Sequence, residues 1–94
     1  MNLDFEINNT RFDVRASAII YNKDKTKILL YNVIGKDYYL LPGGRIECSE
    51  DSLSAIKREM KEETGFDLEF ELCSIQENFL KSSNKNIMRY CFLL

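Results

Sequence analysis

Residues 44–66 read GRIECSEDSLSAIKREMKEETGF. From Asp51 to Thr64 the run holds no Gly or Pro and is rich in helix formers; Asp51 suits the N-cap and Gly65 the residue past the end. A helix is expected there. At about 100° per residue, Glu63 lies about 40° to one side of Glu59 and Glu62 about 60° to the other, so three carboxylates share one stripe. Leu53, Ile56 and Met60 fall on the face expected to pack on a sheet, with Lys57, Lys61 and Ser54 opposite them. Ala55 falls within the acidic arc, where a small side chain leaves room for an ion or substrate. Like charges at i,i+4 cost an isolated helix a few tenths of a kcal/mol, about the size of an ordinary helix pair of the opposite sense. Two readings of the stripe stand at this point. One is a site for a hard divalent cation, Mg²⁺ or Mn²⁺, because carboxylate oxygens without His or Cys suit those ions; the other is a solvated charged face.

Outward from the helix the pattern changes period. Tyr38 to Leu41 reads as a strand halted at Pro42-Gly43-Gly44, since Pro cannot donate to a ladder and paired glycines permit an unusual backbone path. Asp13 to Tyr21 and Lys27 to Val33 are apolar runs separated by Asn22-Lys23-Asp24-Lys25-Thr26, and are expected to form a hairpin. Met1 to Thr10 reads as a loose arm or a short edge strand. Beyond the helix, Leu68 to Leu80 alternates in part, Lys81 to Asn86 is a polar turn, and Ile87 to Leu94 is a strand. That last strand is apolar and calls for a covering surface, supplied by a longer domain or by another chain.

Composition narrows the chemistry. The 94 residues, 45% apolar and 30% charged, make one small globular domain, and a chain this short buries only about 60–65% of its unfolded surface. Thirteen Lys and Arg against fifteen Asp and Glu leave a net charge of −2 without a basic stripe, which argues against a duplex nucleic-acid partner. No apolar run approaches the roughly 18–20 residues of a membrane helix, and the acidic N-terminus does not read as a secretory signal. Cys48, Cys73 and Cys91 are widely spaced and odd in number, so a reducing, cytoplasmic setting is expected. With no His in the chain, catalysis in its usual Ser, Cys or His-metal forms is excluded, and enzyme chemistry falls to carboxylates, Lys, Arg or Tyr.

Taken together, Gly44, Glu50, Arg58-Glu59-Met60, Glu62-Glu63, Gly65 and Phe66 match the Nudix box, G-x5-E-x7-R-E-U-x-E-E-x-G-U, at every specified position. The chain thus resembles the Nudix hydrolases, of the MutT-like kind, from its first hairpin through the strand after the helix. The resemblance implies an α+β (α/β) fold: a single domain over residues 1–94, with a mixed sheet packed by the box helix. The later strands and second helix of that family's α/β/α sandwich find no residues here, so the expectation is a domain truncated at its C-terminus.

It also implies roles. Glu59, Glu62 and Glu63 would be the metal ligands, with the backbone carbonyl of Gly44 joining them and Mg²⁺ or Mn²⁺ as cofactor. Glu59 or Glu63 would be the catalytic base. Glu50 and Arg58 would hold the loop and orient the carboxylates, a surface salt bridge being the plainer alternative. Arg15 and Arg45 are candidates for contact with substrate, Tyr38 and Tyr39 for stacking on a nucleobase, and Glu77 for the further acidic residue many members add downstream. The implied reaction is attack of water on a phosphoanhydride of a nucleoside diphosphate linked to another group, as in a nucleoside triphosphate or nucleotide sugar. The alternative is a non-catalytic module or fragment that dimerises through its exposed strand edge. A plain acidic cation-binding domain would bind metal without turnover.

Overall fold

The computed structural model describes residues 1–81 and 85–94. Its first strand, β1 (Asp4–Ile7), turns tightly into β2 (Thr10–Ser17). The turn residues Asn8 and Asn9 both have positive φ, 49° and 60°, which is the backbone a two-residue hairpin loop needs and which Asn tolerates better than most side chains. The N-terminal segment is therefore an edge strand, the second of the two forms expected for it.

Strand β2 is the axis of the main sheet. Along one edge it pairs antiparallel with β1 through Asp13 and then with β5 (Gly43–Arg45) through Ser17. Along the other it pairs in parallel with β7 (Asn86–Leu93) over its whole length, and β7 pairs antiparallel with β6 (Ser74–Lys81). The expected turn from Lys81 to Asn86 includes residues 82–84, which lie outside the described residues.

The expected hairpin of Asp13–Tyr21 with Lys27–Val33 is not formed as a ladder. Pairing of the two runs is confined to the tip: one bridge, Tyr21 to Ile28, with the Leu29 amide donating to the Ile20 carbonyl and the Asn22 amide to the Lys27 carbonyl, around a turn closed by the Asn22 side chain, which accepts from the amides of Thr26 and Lys27. The second run instead supplies β3 (Tyr31–Asn32), which pairs with β4 (Tyr39–Leu40) in a separate two-stranded ribbon. The reason is that β2 already has β1, β5 and β7 on its two edges.

Helix α1 (Ser52–Thr64) runs as its sequence predicts. The Asp51 carboxylate accepts from the Ser54 amide, and Gly65 takes the left-handed conformation, φ 81°, its amide donating to the Lys61 carbonyl. The helix packs on β2 and β5. Val14, Ala16 and Ala18 alternate toward it, and with Ile46, Ala55, Ile56, Met60 and Leu94 they form the core. Two expectations for the helix faces change. Leu53 is 42% exposed and Ala55 is fully buried, because the helix approaches the small side chains of β2 closely enough to take Ala55, leaving no room beside it for an ion or substrate. The arc that faces the core is thus rotated toward the N-terminal side of the acidic stripe.

Residues of opposite parity face away from α1 and are mostly polar. Arg15 and Ser17 on β2, Arg89 and Cys91 on β7, and Gln76 and Asn78 on β6 share that face. Asp13 on the same face is fully buried and accepts two hydrogen bonds from Arg89, at 2.7 and 3.0 Å. None of the described helices is long and apolar enough to cross a membrane.

Candidate functional site

The loop from β5 to α1 and the exposed face of the helix meet at Arg58. Its guanidinium donates to both oxygens of Glu50, at 2.8 and 2.9 Å, to Glu59 Oε1 at 3.0 Å and to the Arg45 backbone carbonyl at 3.3 Å. Glu62 stands one helical turn further on, 3.6 Å from the same guanidinium. Glu50 in turn accepts from the Glu47 amide at 3.1 Å, so this carboxylate holds both the loop and the arginine. The hydrogen bonds from Arg58 hold the Glu50 carboxyl below its ordinary value, and those to Glu50, then Glu59, raise the affinity of Arg58 for its proton. The planar fork of arginine fits this two-oxygen grip, and a single point charge would not.

Strand β5 brings Gly44 against the helix. A Cβ at residue 44 would press into the Glu59 carboxylate, so glycine there leaves the space that the carboxylate fills. Its neighbour Gly43 has φ 150° and lies so close to the Ala16 carbonyl that no side chain fits between them. The two glycines that end the preceding strand therefore seat β5 on β2 and Glu59 on β5.

The third glutamate of the stripe has a partner from elsewhere. The Tyr31 hydroxyl, on β3, donates to Glu63 Oε2 at 2.7 Å. That hydrogen bond, with partial burial, pushes the phenol up to about 12. Neither the helix pattern nor the family pattern pointed to Tyr31, since a lone tyrosine in a two-residue strand carries no local signal.

Carboxylates with a backbone carbonyl, the set that the sequence led us to expect, are of a chemistry that suits a hard divalent cation, and the space left at Gly44 seats the Glu59 carboxylate against β5. As the side chains stand, no three His, Cys, Asp or Glu among the described residues are close enough to enclose an ion. Glu59 is held by Arg58, Glu63 by Tyr31, and Glu62 is 61% exposed.

The remaining candidates separate. Arg15, with Tyr38, Tyr39, Gln76, Asn78 and Arg89, lines a cleft of about 430 Å³ on the sheet face away from α1. Both tyrosines are exposed, although neighbouring aromatics on a strand usually divide between core and surface. Arg45 does not line that cleft; its Nε lies 3.4 Å from Asp4, which also takes a two-point grip from Arg11. Glu77 on β6 accepts from the Tyr90 hydroxyl at 2.7 Å, on a strand remote from the packing of α1 on β2 and β5. Sequence reading missed Arg89, Gln76 and Asn78; their alternation with inward residues was a usable signal once the pairing of β2, β7 and β6 is known.

The family description "NUDIX domain" matches residues 11–93. Nudix hydrolase 10 of Arabidopsis thaliana is 31% identical over 80 residues, covering 81% of this chain and 28% of that protein. The m7GpppN-mRNA hydrolase of Saccharomyces cerevisiae is 41% identical over 51 residues, 54% of this chain and 5% of that protein. Among solved structures, a NUDIX hydrolase from Nitrosomonas europaea is 29% identical with a TM-score of 0.61, over 86% of this chain and 56% of that one. A MutT protein from Methanosarcina mazei Go1, 20% identical with a TM-score of 0.62 over 94% of this chain and 65% of that one, shares the fold. The chain thus spans less than a third of each of those two curated relatives and less than two thirds of each of those solved structures.

Proposed function

The chain belongs to the Nudix family, and from that premise we propose that it is a pyrophosphohydrolase using Mg²⁺ or Mn²⁺, acting on a nucleoside diphosphate linked to another group. The observation that carries the reading is the grip of Arg58 on Glu50 and Glu59 with Glu59 seated at Gly44. Four positions of the box, separated by up to fifteen residues of chain, meet at one point with complementary charge. A plain surface salt bridge would require none of this: Glu50 and Glu59 are only 15% and 18% exposed, and the loop amide of Glu47 is part of the same network.

In this reading Glu59, Glu62, Glu63 and the Gly44 carbonyl would hold the cation, and the chemistry it would supply is charge neutralisation on the diphosphate and a more acidic water. Arg58 and Glu50 keep Glu59 and the loop in register. A displacement of about 1 Å in such a support costs about 100-fold in rate, which is why a buried grip belongs here. Water attacks phosphorus, the P–O bond to the leaving phosphate breaks, and the water's proton passes to Glu63 or Glu59. The cleft at Arg15, with two exposed tyrosines and two side-chain amides, offers a cation and aromatic faces to a nucleotide; Arg45, paired with Asp4, is the weaker of the two substrate candidates. Nucleoside triphosphates and nucleotide sugars are the substrate classes proposed, in a cytoplasmic setting.

A second reading, a module that pairs with a second copy, draws on β6: its outer edge has no partner among the described residues, and Ile75, Phe79 and Leu80 are each more than half exposed. The experiment that decides is turnover with Mg²⁺ and Mn²⁺ against nucleoside triphosphates, nucleotide sugars and dinucleoside polyphosphates, with Glu62→Gln alongside. The hydrolase reading expects release of nucleotide that falls at least 100-fold in Glu62→Gln, the scale of a lost catalytic group. Equal rates in both proteins would remove the glutamate stripe from the chemistry, and silence across the panel in a folded chain would favour the pairing module.

A further inference from the structure

Pairing across the main sheet gathers charge on the face turned away from α1. One row runs Arg45, Arg15, Cys91, Gln76 over β5, β2, β7 and β6, and the row beside it Asp4, Asp13, Arg89, Asn78 over β1, β2, β7 and β6. Arg11 stands two residues before Asp13 and shares the face. Four arginines thus stand with two aspartates, a surplus of positive charge on a chain whose net charge is −2. Glu6, the next acid on that face, is paired with Lys85 at 3.2 Å and leaves the balance unchanged. The ion pairs of the face engage Arg11, Arg45 and Arg89, and leave Arg15 without one among the described residues. Arg15 also stands directly opposite Arg45, where like charges repel, so a sheet built for stability alone gains nothing from it. Arg15 and Arg89 both line the cleft of about 430 Å³, with Gln76 and Asn78, and no carboxylate among the described residues lines it. Asp13 takes the Nε and Nη2 of Arg89, which fixes that guanidinium and leaves its Nη1 without a partner among the described residues.

We propose that Arg15 and Arg89 hold a phosphate monoester in this cleft without a metal ion, with the side-chain amides of Gln76 and Asn78 as neighbouring donors. Such a group carries about −1.5 to −2 at neutral pH, which offsets the surplus, and the planar fork of a guanidinium matches two phosphate oxygens. Arg89 is oriented beforehand by the buried Asp13, whose hydrogen bonds also strengthen its hold on its proton. Arg15 has no carboxylate to leave when a phosphate arrives. The inference deepens the nucleotide reading of the cleft and rests on it only for the source of the phosphate; the cation site plays no part in it.

The test is isothermal titration calorimetry in chelator with inorganic phosphate, adenosine 5′-monophosphate and adenosine, for the wild-type chain, Arg15→Gln, Asn78→Asp and Lys57→Gln. Arg15→Gln removes a guanidinium that no ion pair uses, Asn78→Asp sets a carboxylate beside Arg89, and Lys57→Gln removes one positive charge from the far side of α1; melting reports that each is folded. The expected result is that the monophosphate binds at least about tenfold more tightly than adenosine, and that its dissociation constant rises about tenfold or more in Arg15→Gln and Asn78→Asp and stays unchanged in Lys57→Gln. An unchanged constant in Arg15→Gln overturns the proposal. So does an equal rise in Lys57→Gln, adenosine binding as tightly as its monophosphate, or no binding of either phosphate at millimolar concentration by the folded chain. Where both phosphates weaken in Arg15→Gln the site stands, and their ranking gives the source: a monophosphate that binds more tightly than inorganic phosphate assigns the nucleotide, and equal constants assign free phosphate and remove the nucleotide from the cleft. The hydrolase reading is judged by turnover with metal, so its failure leaves these metal-free constants as they are.

Discussion

Gly44 and Glu59 share a space that a larger residue at 44 would contest. Because the atoms it would meet are the end of a flexible side chain, Gly44→Ala is expected to fold with a loss under about 1 kcal/mol while displacing the Glu59 carboxylate and lowering turnover at least tenfold. Gly43→Ala should behave in the opposite way. There φ is 150° and the obstacle is the backbone carbonyl of Ala16, so a loss of about 1–3 kcal/mol in urea denaturation is expected before any effect on chemistry. Similar losses for the two alanines would mean that neither glycine has the separate role given to it. At this scale the sequence was most informative where chemistry is local: the carboxylate stripe and the two caps follow from spacing alone. Tyr31 was invisible because its partner is on an element whose position depends on the whole sheet.

Helix α1 shows how an element was legible in its limits and misread in its orientation. Asp51 and Gly65 set the ends, but the face that turns inward was decided by the small residues of β2, which drew in Ala55 and left Leu53 out. The cap and the support of the loop also carry a pH dependence. The Ser54 amide holds the Asp51 carboxyl below its ordinary 3.8, and Arg58 holds Glu50 below its ordinary 4.5. A carboxyl that binds its proton more weakly in the fold than in the unfolded chain contributes its full stability above the unfolded value. That contribution is lost as pH falls through the folded value. Thermal melting is therefore expected to drop on acidification below about pH 4.5, and to drop less in Asp51→Asn, whose cap has no proton to take up. A melting temperature flat through that range, or an unchanged slope in the variant, would contradict the assignment. The hairpin expected from Asp13 to Val33 is reduced to its tip for a reason of the same scale: apolar runs announce strands, but which edge of β2 each one finds depends on competitors far along the chain.

The whole molecule is closed by the parallel pairing of β2 with β7, and its most buried charge lies there. Asp13 is fully buried and its two-point bond from Arg89 spans 76 residues of sequence. Removing one member of such a pair leaves a charge without water or partner, so Arg89→Gln is expected to cost about 3–5 kcal/mol in urea denaturation, a loss that a domain of this size can hardly absorb. A cost below about 1 kcal/mol would show that Arg11, 4.0 Å from Asp13, suffices alone. No spacing in the sequence announces this pair, since it exists only once β7 has returned beside β2. The mixed sheet with one packed helix, by contrast, was readable from the box and the strand pattern.

The measurement that tests the central claim most directly is the shift in melting temperature with Mg²⁺, compared between the wild-type chain and the Glu59→Gln, Glu62→Gln, Glu63→Gln triple variant. An ion that binds only the folded state at ten times its dissociation constant adds about 1.4 kcal/mol, or about 6–11 °C for a domain of this length. The account predicts a saturable rise of that order in the wild type and none in the triple variant. No rise at millimolar Mg²⁺, or the same rise in both proteins, would contradict it.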